Sequence, residues 1–270
     1  MTEPEFVLAL VDMVQSSGKY AAIDPGLVKS LVEQELAKGR SSKDTVKAVR
    51  NKLHQIGSAY QEKRIDYTHF KSDLLALPHS LADDGIKAFC LRAMREHAST
   101  RERLGFLDEF YDQVLSGLGP IQSLLDLACG LNPLALGWLP LAADAQVRVC
   151  DIYHDMTDFL NTFFTHVCLD GIAFPCDLTQ NVPEQPVQVA LLLKTIPCLE
   201  QVDKTIGRRL LATIPAEHLI VSFPVLSLGG RGKGMRQNYD QHFKELISGM
   251  AFEVKRFDFS TELVFRLMRL

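Results

Sequence analysis

The chain contains 270 residues, of which 47% are hydrophobic and 23% are charged, with a formal net charge of −4 at pH 7. This composition is that of an ordinary globular protein and excludes a disordered or fibrous chain. The first residues are acidic, unlike a signal peptide, and no apolar run approaches the roughly 20 residues that cross a bilayer. We therefore expect a cytoplasmic protein with no membrane partner.

The six cysteines follow no spacing that is typical of a metal site or a disulfide framework. No two of them form a C-x-x-C pair, so we predict no zinc or other metal centre. Most have apolar neighbours, where a cysteine behaves as a small hydrophobic residue. They are Cys90, Cys129, Cys150, Cys168, Cys176 and Cys198.

Positive charge is concentrated in one segment of this otherwise acidic chain. Residues 38–64 contain eight basic side chains and two acidic ones. A local excess of this kind is a candidate binding surface for a polyanion such as RNA. The alternative is an ordinary solvated helix face, and charge alone does not choose between the two.

Residues 1–105 show helical periodicity and almost no strand pattern. Ser41 followed by Asp44 resembles a capping box and predicts that a helix begins there. Because side chains three and four positions apart share a helix face, an apolar stripe of this helix can pack inward while a basic stripe faces outward. A further helical stretch is predicted from Gly85 to about Val114. The basic stripe consists of Lys43, Lys47 and Arg50.

From Ser123 onward, short apolar runs alternate with helical segments, which predicts an α/β domain with a parallel sheet covered on both faces. Only a short turn at Ser260 separates the last two strands, so we expect an antiparallel hairpin. This seven-stranded layout is that of a Rossmann-like class I methyltransferase. We therefore divide the chain into an N-terminal all-helical extension, residues 1–105, and a methyltransferase domain, residues 106–270. The predicted strands are 123–129, 147–152, 172–177, 187–194, 218–224, 253–259 and 262–268, and the predicted helices between them are about 133–138, 155–168, 200–213 and 239–249.

The carboxyl ends of these strands carry the features of a cofactor site, because ligands of doubly wound sheets bind where the strand order reverses. The first strand ends in the sequence DLACG, residues 126–130, whose small residues allow close approach of a cofactor. It lacks the G-x-G-x-x-G pattern that binds pyrophosphate. Asp151 ends the second strand, where a carboxylate suits ribose hydroxyls, and Asp177 with Leu178 ends the third, where they suit adenine. These ordered acids favour S-adenosylmethionine.

The fourth strand leads into Lys194 and then into Pro197 and Cys198. A lysine that leaves an apolar strand is costly unless it has a partner, so Lys194 is a candidate contact for a phosphate or the base of the substrate. The alternative is that it only lies at the rim. Enzymes that attack C5 of cytosine place Pro-Cys at this point, which keeps Cys198 as a candidate nucleophile.

Three longer segments narrow the interpretation. They are HASTRER at residues 97–103, DLACGLNPLA at 126–135 and SFPVLSLGGRGKGM at 222–235. Together they closely resemble the aminoglycoside-resistance methyltransferases that modify N7 of guanine 1405 in the decoding site of 16S rRNA. The resemblance runs through nearly the whole chain and includes LHQI at 53–56 and TELV at 261–264.

The resemblance implies a set of cofactor contacts. Arg103 would pair with the methionyl carboxylate of S-adenosylmethionine, since a guanidinium matches a carboxylate in bidentate geometry. Asp151 would bind the ribose, and Asp177 with Leu178 the adenine. The alternative for His97 is that it only caps a helix. The other implied contacts are Tyr60, His97, Ser99, Thr100, Ala128, Gly130 and Leu193.

The resemblance also implies the partner, 16S rRNA within the 30S subunit. Residues 1–105 would bind rRNA, and Arg231, Lys233 and Arg236 would shape the side of the site that faces the target base. We expect a monomer. Guanine N7 has a free lone pair, so methylation needs no general base and depends on positioning. The base must leave its stack to be reached.

Two alternatives to this function stay open. One is a methyltransferase that acts on another rRNA base, for instance through Cys198. The other is a ribosome-binding protein that keeps the fold without activity. The ordered acids at three strand ends favour an active enzyme.

Methylation of guanine N7 would leave a positive charge and added bulk where certain aminoglycosides bind, which accounts for resistance.

Overall fold

The computed structural model describes residues 3–58, 65–226 and 234–270. The N-terminal part is helical, as the periodicity predicts. Ser41 caps the third helix by accepting a hydrogen bond from the backbone N–H of Asp44 at 3.3 Å, which confirms the predicted start. The helices are α1 Glu3–Gln15, α2 Pro25–Leu36, α3 Ser42–Leu53, a π-helical turn His54–Ser58, α4 Tyr67–Leu75, α5 Asp84–Met94, α6 Ala98–Arg101, a 3₁₀ turn Leu104–Phe106 and α7 Leu107–Val114.

The helical stretch predicted from residue 85 to about 114 forms several shorter elements, α5, α6, the 3₁₀ turn and α7, and the chain leaves the helical path between α5 and α6. α5 ends at Met94, and His97 has an extended backbone with φ −112° and ψ 123°. The hydroxyl of Thr100 donates to the Met94 carbonyl at 2.6 Å, so a side chain satisfies an acceptor that a continued helix would have used. The break matters because it turns residues 97–103 toward the sheet.

A seven-stranded sheet forms the second part, as predicted. Its order is β3-β2-β1-β4-β5-β7-β6, in which β7 pairs antiparallel with both β5 and β6 and the other pairs are parallel. The chain reverses its direction of strand addition between β1 and β4, which is where such sheets bind ligands. The strands are β1 Ile121–Leu127, β2 Leu141–Asp151, β3 Gly171–Pro175, β4 Val187–Leu193, β5 Ala216–Pro224, β6 Phe252–Asp258 and β7 Glu262–Arg269.

Helices cover both faces of this sheet. The helix predicted at 200–213 begins only at Ile206, because Asp203 accepts hydrogen bonds from the backbone N–H and the hydroxyl of Thr205 at 2.9 and 2.8 Å and so forms a turn before it. None of the helices in the described parts of the chain combines the length and apolarity that crossing a bilayer requires. The remaining elements are a 3₁₀ helix Asn132–Trp138, α8 His154–His166, α9 Ile196–Leu199, α10 Ile206–Thr213 and α11 Met235–Ile247.

The helical extension and one face of the sheet share a hydrophobic core. Phe159 of α8 is fully buried, and its ring centroid lies 5.2 Å from that of Tyr67 and 6.2 Å from that of Phe70, both on α4. Ile23 also forms an isolated antiparallel bridge with Tyr153, directly after β2. The division at residue 105 stays a prediction, and these contacts indicate that the two parts fold together.

We expect Phe159→Ala to destabilise the whole chain by about 3–5 kcal/mol, because it removes a buried ring from the junction of both parts. Urea unfolding followed by circular dichroism and by fluorescence should give one coincident transition at a lower midpoint. Ile172→Ala, at a position that is 47% exposed, is the matched control and should change little. Two separate transitions would show that the parts fold independently.

Candidate cofactor site

A cleft opens at the carboxyl ends of the strands, beside the reversal between β1 and β4. Both parts of the chain form its wall. The helical extension contributes Leu27, Ile56, Gly57, His97 and Ser99, and the sheet contributes Ala128, Gly130, Asp151, Ile152, Tyr153, Cys176, Asp177, Leu178, Thr179, Leu193, Lys194, Thr195, Cys198 and Leu199.

The turn after β1 brings the backbone to the edge of this cleft. Ala128 and Gly130 both have left-handed backbone conformations, with φ of 52° and 53°. A Cβ atom on Gly130 would lie 2.8 Å from Cε1 of His97, so no larger residue fits here. The imidazole of His97 therefore packs directly against this turn. A left-handed backbone at a residue other than glycine, as at Ala128, is typical of functional sites.

Asp151, at the end of β2, is held in place by the backbone. One carboxylate oxygen accepts from the N–H of Gly130 at 2.9 Å and the other from the N–H of Ile152 at 2.7 Å. Burial raises the pKa of Asp151, and these backbone donors oppose that change. A carboxylate has about four acceptor positions, so it keeps capacity for hydroxyl groups of a ligand.

Asp177 follows β3 and presents an unsatisfied acceptor. Its Oδ1 accepts from the N–H of Thr179 at 2.9 Å and from the Thr179 hydroxyl at 2.7 Å. Its Oδ2 is buried and has no hydrogen-bond partner among the described residues. This oxygen can therefore accept a hydrogen bond from a ligand in the cleft, and the adjacent Leu178 supplies an apolar wall.

Asp126, the third strand-end acid, does not line the cleft. It lies behind the turn, 2% exposed, and one of its oxygens accepts from Nδ2 of Asn132 at 2.7 Å. Burial raises its pKa to about 7, although the hydrogen bond from Asn132 lowers it. Two acids therefore face the cleft, where the sequence pattern suggested three.

Arg103 is fully buried and forms a bidentate ion pair with Glu262, the first residue of β7. Its Nη2 lies 2.7 Å from one carboxylate oxygen and its Nε 3.1 Å from the other. Nη1 donates to Oδ1 of Asn132 at 2.7 Å. Although burial raises the pKa of Glu262, the nearby Arg103 and Lys194 bring it below its ordinary value. Glu262 is therefore a permanent anion behind the cleft.

Lys194 belongs to the same buried network. Its residue is only 3% exposed, and its Nζ lies 2.6 Å from a carboxylate oxygen of Glu102 and 3.6 Å from one of Glu262. The Nζ also donates to the backbone carbonyl of Ser99 at 3.3 Å. The backbone φ of Lys194 is 59°, a second strained position at the carboxyl edge of the sheet. Lys194 is thus a charged wall of the cleft and not a rim residue.

The structure brings most of the predicted cofactor contacts together and leaves two behind the wall. Thr100 and Arg103 are buried but do not line the cleft, because Thr100 bonds to the end of α5 and Arg103 to Glu262. Tyr60 lies outside the described residues. The predicted cofactor contacts that line the cleft are His97, Ser99, Ala128, Gly130, Asp151, Asp177, Leu178 and Leu193. Lys194, the predicted substrate contact, lines it as well.

Sequence reasoning assigned no role to Glu102 or Glu262. Both lie in segments that carry the family resemblance, so a search for counterions to Arg103 and Lys194 within those segments would have found them. Ile56 and Gly57 were missed as well, because nothing in a helical periodicity shows that the end of α3 reaches the sheet.

Some of the predicted rRNA-binding residues are exposed to solvent, and others are engaged within the protein. Lys43 and Lys47 on α3 are exposed, as expected of a basic stripe. Arg50 departs from that stripe, because its guanidinium donates to the carbonyls of Met13 and Val14 at 2.5 and 3.4 Å and so caps the end of α1. Arg236 pairs with Asp258 and donates to the carbonyl of Phe259 at 2.8 Å. Arg231 and Lys233 lie outside the described residues.

We expect His97 to make the protein less stable in acid. Burial, together with the nearby Lys194 and Arg101, lowers the pKa of His97 to about 4, whereas the unfolded chain titrates near 6.5. Below pH 6.5 the unfolded state therefore binds the proton that the native state excludes, and stability falls by up to about 1.4 kcal/mol per pH unit until the native pKa is reached.

The measurement is the free energy of unfolding of the wild type and of His97→Asn between pH 8 and pH 4.5. The difference between the two proteins should shift in favour of the variant as the pH falls. Asp126 titrates in the same range with the opposite sign, but its contribution is common to both proteins. His69→Asn, at a side chain that is 70% exposed, is the control. Parallel profiles for the wild type and His97→Asn would contradict the burial argument.

Known proteins share this architecture over nearly the full length. Residues 16–266 match the model of the family described as Ribosomal RNA methyltransferase (FmrO). The 16S rRNA (guanine(1405)-N(7))-methyltransferase of Micromonospora rosea is 33% identical over 258 residues, covering 95% of this chain and 94% of that enzyme. The enzyme of the same name from Serratia marcescens is 34% identical over 257 residues, covering 95% and 96%.

Among solved structures, the crystal structure of the 16S rRNA methyltransferase RmtF in complex with S-adenosyl-L-homocysteine matches with a TM-score of 0.82 and 33% identity. The match covers 100% of both chains. The predicted methyltransferase fold and the resemblance to resistance methyltransferases are thereby confirmed. The chain belongs to the FmrO family of ribosomal RNA methyltransferases.

Proposed function

We infer that this protein transfers a methyl group from S-adenosylmethionine to N7 of guanine 1405 in 16S rRNA of the 30S subunit and thereby confers resistance to aminoglycosides. The observation that carries the inference is the cleft at the strand reversal, whose backbone-fixed Asp151 and unsatisfied Asp177 suit an adenosyl group. Near-full-length similarity to enzymes that bear this activity in their names supports the target.

The residues of the cleft fit S-adenosylmethionine, which supplies an electrophilic methyl group on a sulfonium centre. Asp151 accepts hydrogen bonds from the ribose hydroxyls, and Asp177 accepts one from the adenine amino group while Leu178 covers the ring. The backbone at Ala128 and Gly130 can approach the cofactor closely, because Ala128 has a small side chain and Gly130 has none. His97, Ser99 and Leu193 line the remaining wall, with Thr100 and Arg103 directly behind it.

Arg103 and Lys194 provide positive potential at the methionyl end without exposing a free cation to water. Glu262 and Glu102 neutralise them in part, so the cations stay charged and oriented while buried. Lys194 lines the cleft and can donate a hydrogen bond to an acceptor of the target base, which positions it. Methylation of guanine N7 requires no proton to be removed. The enzyme therefore only has to hold the N7 lone pair in line with the methyl group of the cofactor and to exclude water.

The helical extension serves to bind rRNA. Lys43 and Lys47 are exposed on α3, on the part of the chain that the sequence marks as basic. Phosphate contacts there help to offset the cost of extruding the guanine from its stack, roughly a few kcal/mol. We propose that the protein acts as a monomer in the cytoplasm, where small subunits are found.

The proposed function is tested by transfer of a labelled methyl group to intact 30S subunits, with the product mapped by chemical cleavage at 7-methylguanine. We expect one modified position, guanine 1405. Cys198→Ala should retain full activity, because N7 methylation forms no covalent enzyme intermediate. Loss of activity in Cys198→Ala with unchanged affinity for the cofactor, or label at a cytosine C5, would indicate the alternative chemistry. Absence of any transfer with intact cofactor binding would indicate an inactive ribosome-binding protein.

The cofactor site is tested by calorimetry with S-adenosyl-L-homocysteine. Asp177→Asn replaces an acceptor with a donor that faces the adenine amino group, and we expect binding to weaken by about tenfold or more, since a hydrogen bond to a charged group is worth about 1.5–3 kcal/mol. Asp144→Asn, at an exposed position far from the carboxyl end of β2, is the matched control. Equal affinity for both variants would remove Asp177 from the site.

A further inference from the structure

Glu35 on α2 is a buried carboxylate surrounded by three cations. It is 1% exposed, and its oxygens lie 2.6 Å from Nζ of Lys38, 2.7 Å from Nε of Arg40 and 2.8 Å from Nζ of Lys52. Lys38 and Lys52 share Oε1, while Arg40 uses Oε2. We call these four residues the Glu35 cluster.

The cations of this cluster keep access to solvent although their anion does not. Their side chains are 54%, 46% and 20% exposed for Lys38, Arg40 and Lys52. A lysine ammonium carries three donors and a guanidinium five, so each cation spends only part of its hydrogen-bonding capacity on Glu35. The unused donors of three side chains therefore converge on one patch of the surface.

The cluster has more positive than negative charge at neutral pH. Burial raises the pKa of Glu35, but hydrogen bonds from Lys38 and Lys52 and their charges bring it down to about 2, so the carboxylate stays ionised. No other carboxylate of the described residues lies within ion-pair distance of the three cations. Three cations on a single carboxylate leave a surplus of two positive charges in a confined space, which an external dianion or two phosphates would balance.

The Glu35 cluster differs from the basic stripe of α3 in one physical respect. Lys43 and Lys47 are ordinary exposed side chains, and Arg50 is engaged at the end of α1. In the cluster, by contrast, Glu35 already restrains three long side chains. Less side-chain entropy is then lost when a ligand binds, so the same number of cations gives tighter binding.

We propose that the Glu35 cluster is a phosphate-binding site through which the helical extension docks on the sugar–phosphate backbone of the rRNA. The proposal rests on the proposed function, which makes rRNA the partner. Lys38, Arg40 and Lys52 donate to phosphate oxygens, and Glu35 acts as a positioning residue beneath them. Such contacts carry no sequence information, but they fix the register in which the protein meets its target.

The test is binding of the full-length protein to intact 30S subunits over a series of KCl concentrations. The double variant Lys38→Gln/Arg40→Gln should bind at least tenfold more weakly near physiological salt. The slope of log K against log [KCl] should become shallower by about 1.4–1.8, the value for two lost phosphate contacts. Lys29→Gln is the matched control, because Lys29 lies on α2 with Glu35 but outside the cluster, is 52% exposed and pairs with Glu33. Its slope should equal that of the wild type.

Glu35→Gln separates a positioned site from diffuse charge. This variant makes the surface more positive, so a purely electrostatic surface would bind every polyanion more tightly. A positioned site should instead lose severalfold affinity for 30S subunits while affinity for poly(U) stays equal or rises. If Glu35→Gln does not fold, the proposal is tested by the double variant Lys38→Gln/Arg40→Gln. That variant should fold, because both side chains that it changes are about half exposed.

Three results would overturn the proposal. They are a double variant with the slope of the wild type, a loss of affinity without a change in slope, which would indicate a contact other than phosphate, and a Glu35→Gln protein that binds subunits more tightly. S-adenosyl-L-homocysteine affinity should be unchanged in all variants and reports on their folding. Methylation of guanine 1405 by the wild type is scored in the same reactions, so its absence would refute the proposed function and not merely the docking site.

Discussion

Glu262 is the buried charge on which the site depends. At the start of β7, it pairs with Arg103 from the end of the helical extension, lies near Lys194 at the end of β4 and accepts a hydrogen bond from Ser222 of β5 at 2.5 Å. Removing one partner of such a pair leaves an uncompensated charge in the interior, which typically costs about 3–5 kcal/mol. One carboxylate thus connects four segments that are distant in sequence, and it holds Arg103 behind the cleft and Lys194 in the wall of the cleft.

The same network explains why the cleft needs both parts of the chain. Lys194 is anchored by Glu102, and His97 packs against the Gly130 turn, so residues 97–103 form a wall that the sheet alone lacks. Leu27 and Gly57 extend that wall from α2 and the end of α3. The Glu35 cluster joins these two helices, because Lys52 of α3 binds Glu35 of α2. The proposed docking on rRNA would therefore involve the same pair of helices that contributes to the cofactor cleft.

The architecture was largely predictable because it depends on local patterns. Alternation of apolar runs with helical segments predicted all seven strands and the terminal hairpin, and the Ser41 cap predicted where α3 begins. Asp151 and Asp177 were predictable for the same reason, since parallel strands bring their carboxyl ends to one edge of the sheet. The break at residues 95–97 and the late start of α10 at Ile206 were missed, because local hydrogen bonds of side chains outweigh periodicity there.

By itself, the sequence determined the fold, the edge of the sheet that holds the site and, through three segments, the family. Only the tertiary structure decided which charged side chains face the cleft and which lie behind it. Arg103 turns to Glu262, 159 positions away, Asp126 withdraws behind the turn, and three basic residues of the extension gather on Glu35 while Arg50 caps α1. The physical reason is that a charge takes the partner that is closest in space, and spacing along the chain does not reveal that partner.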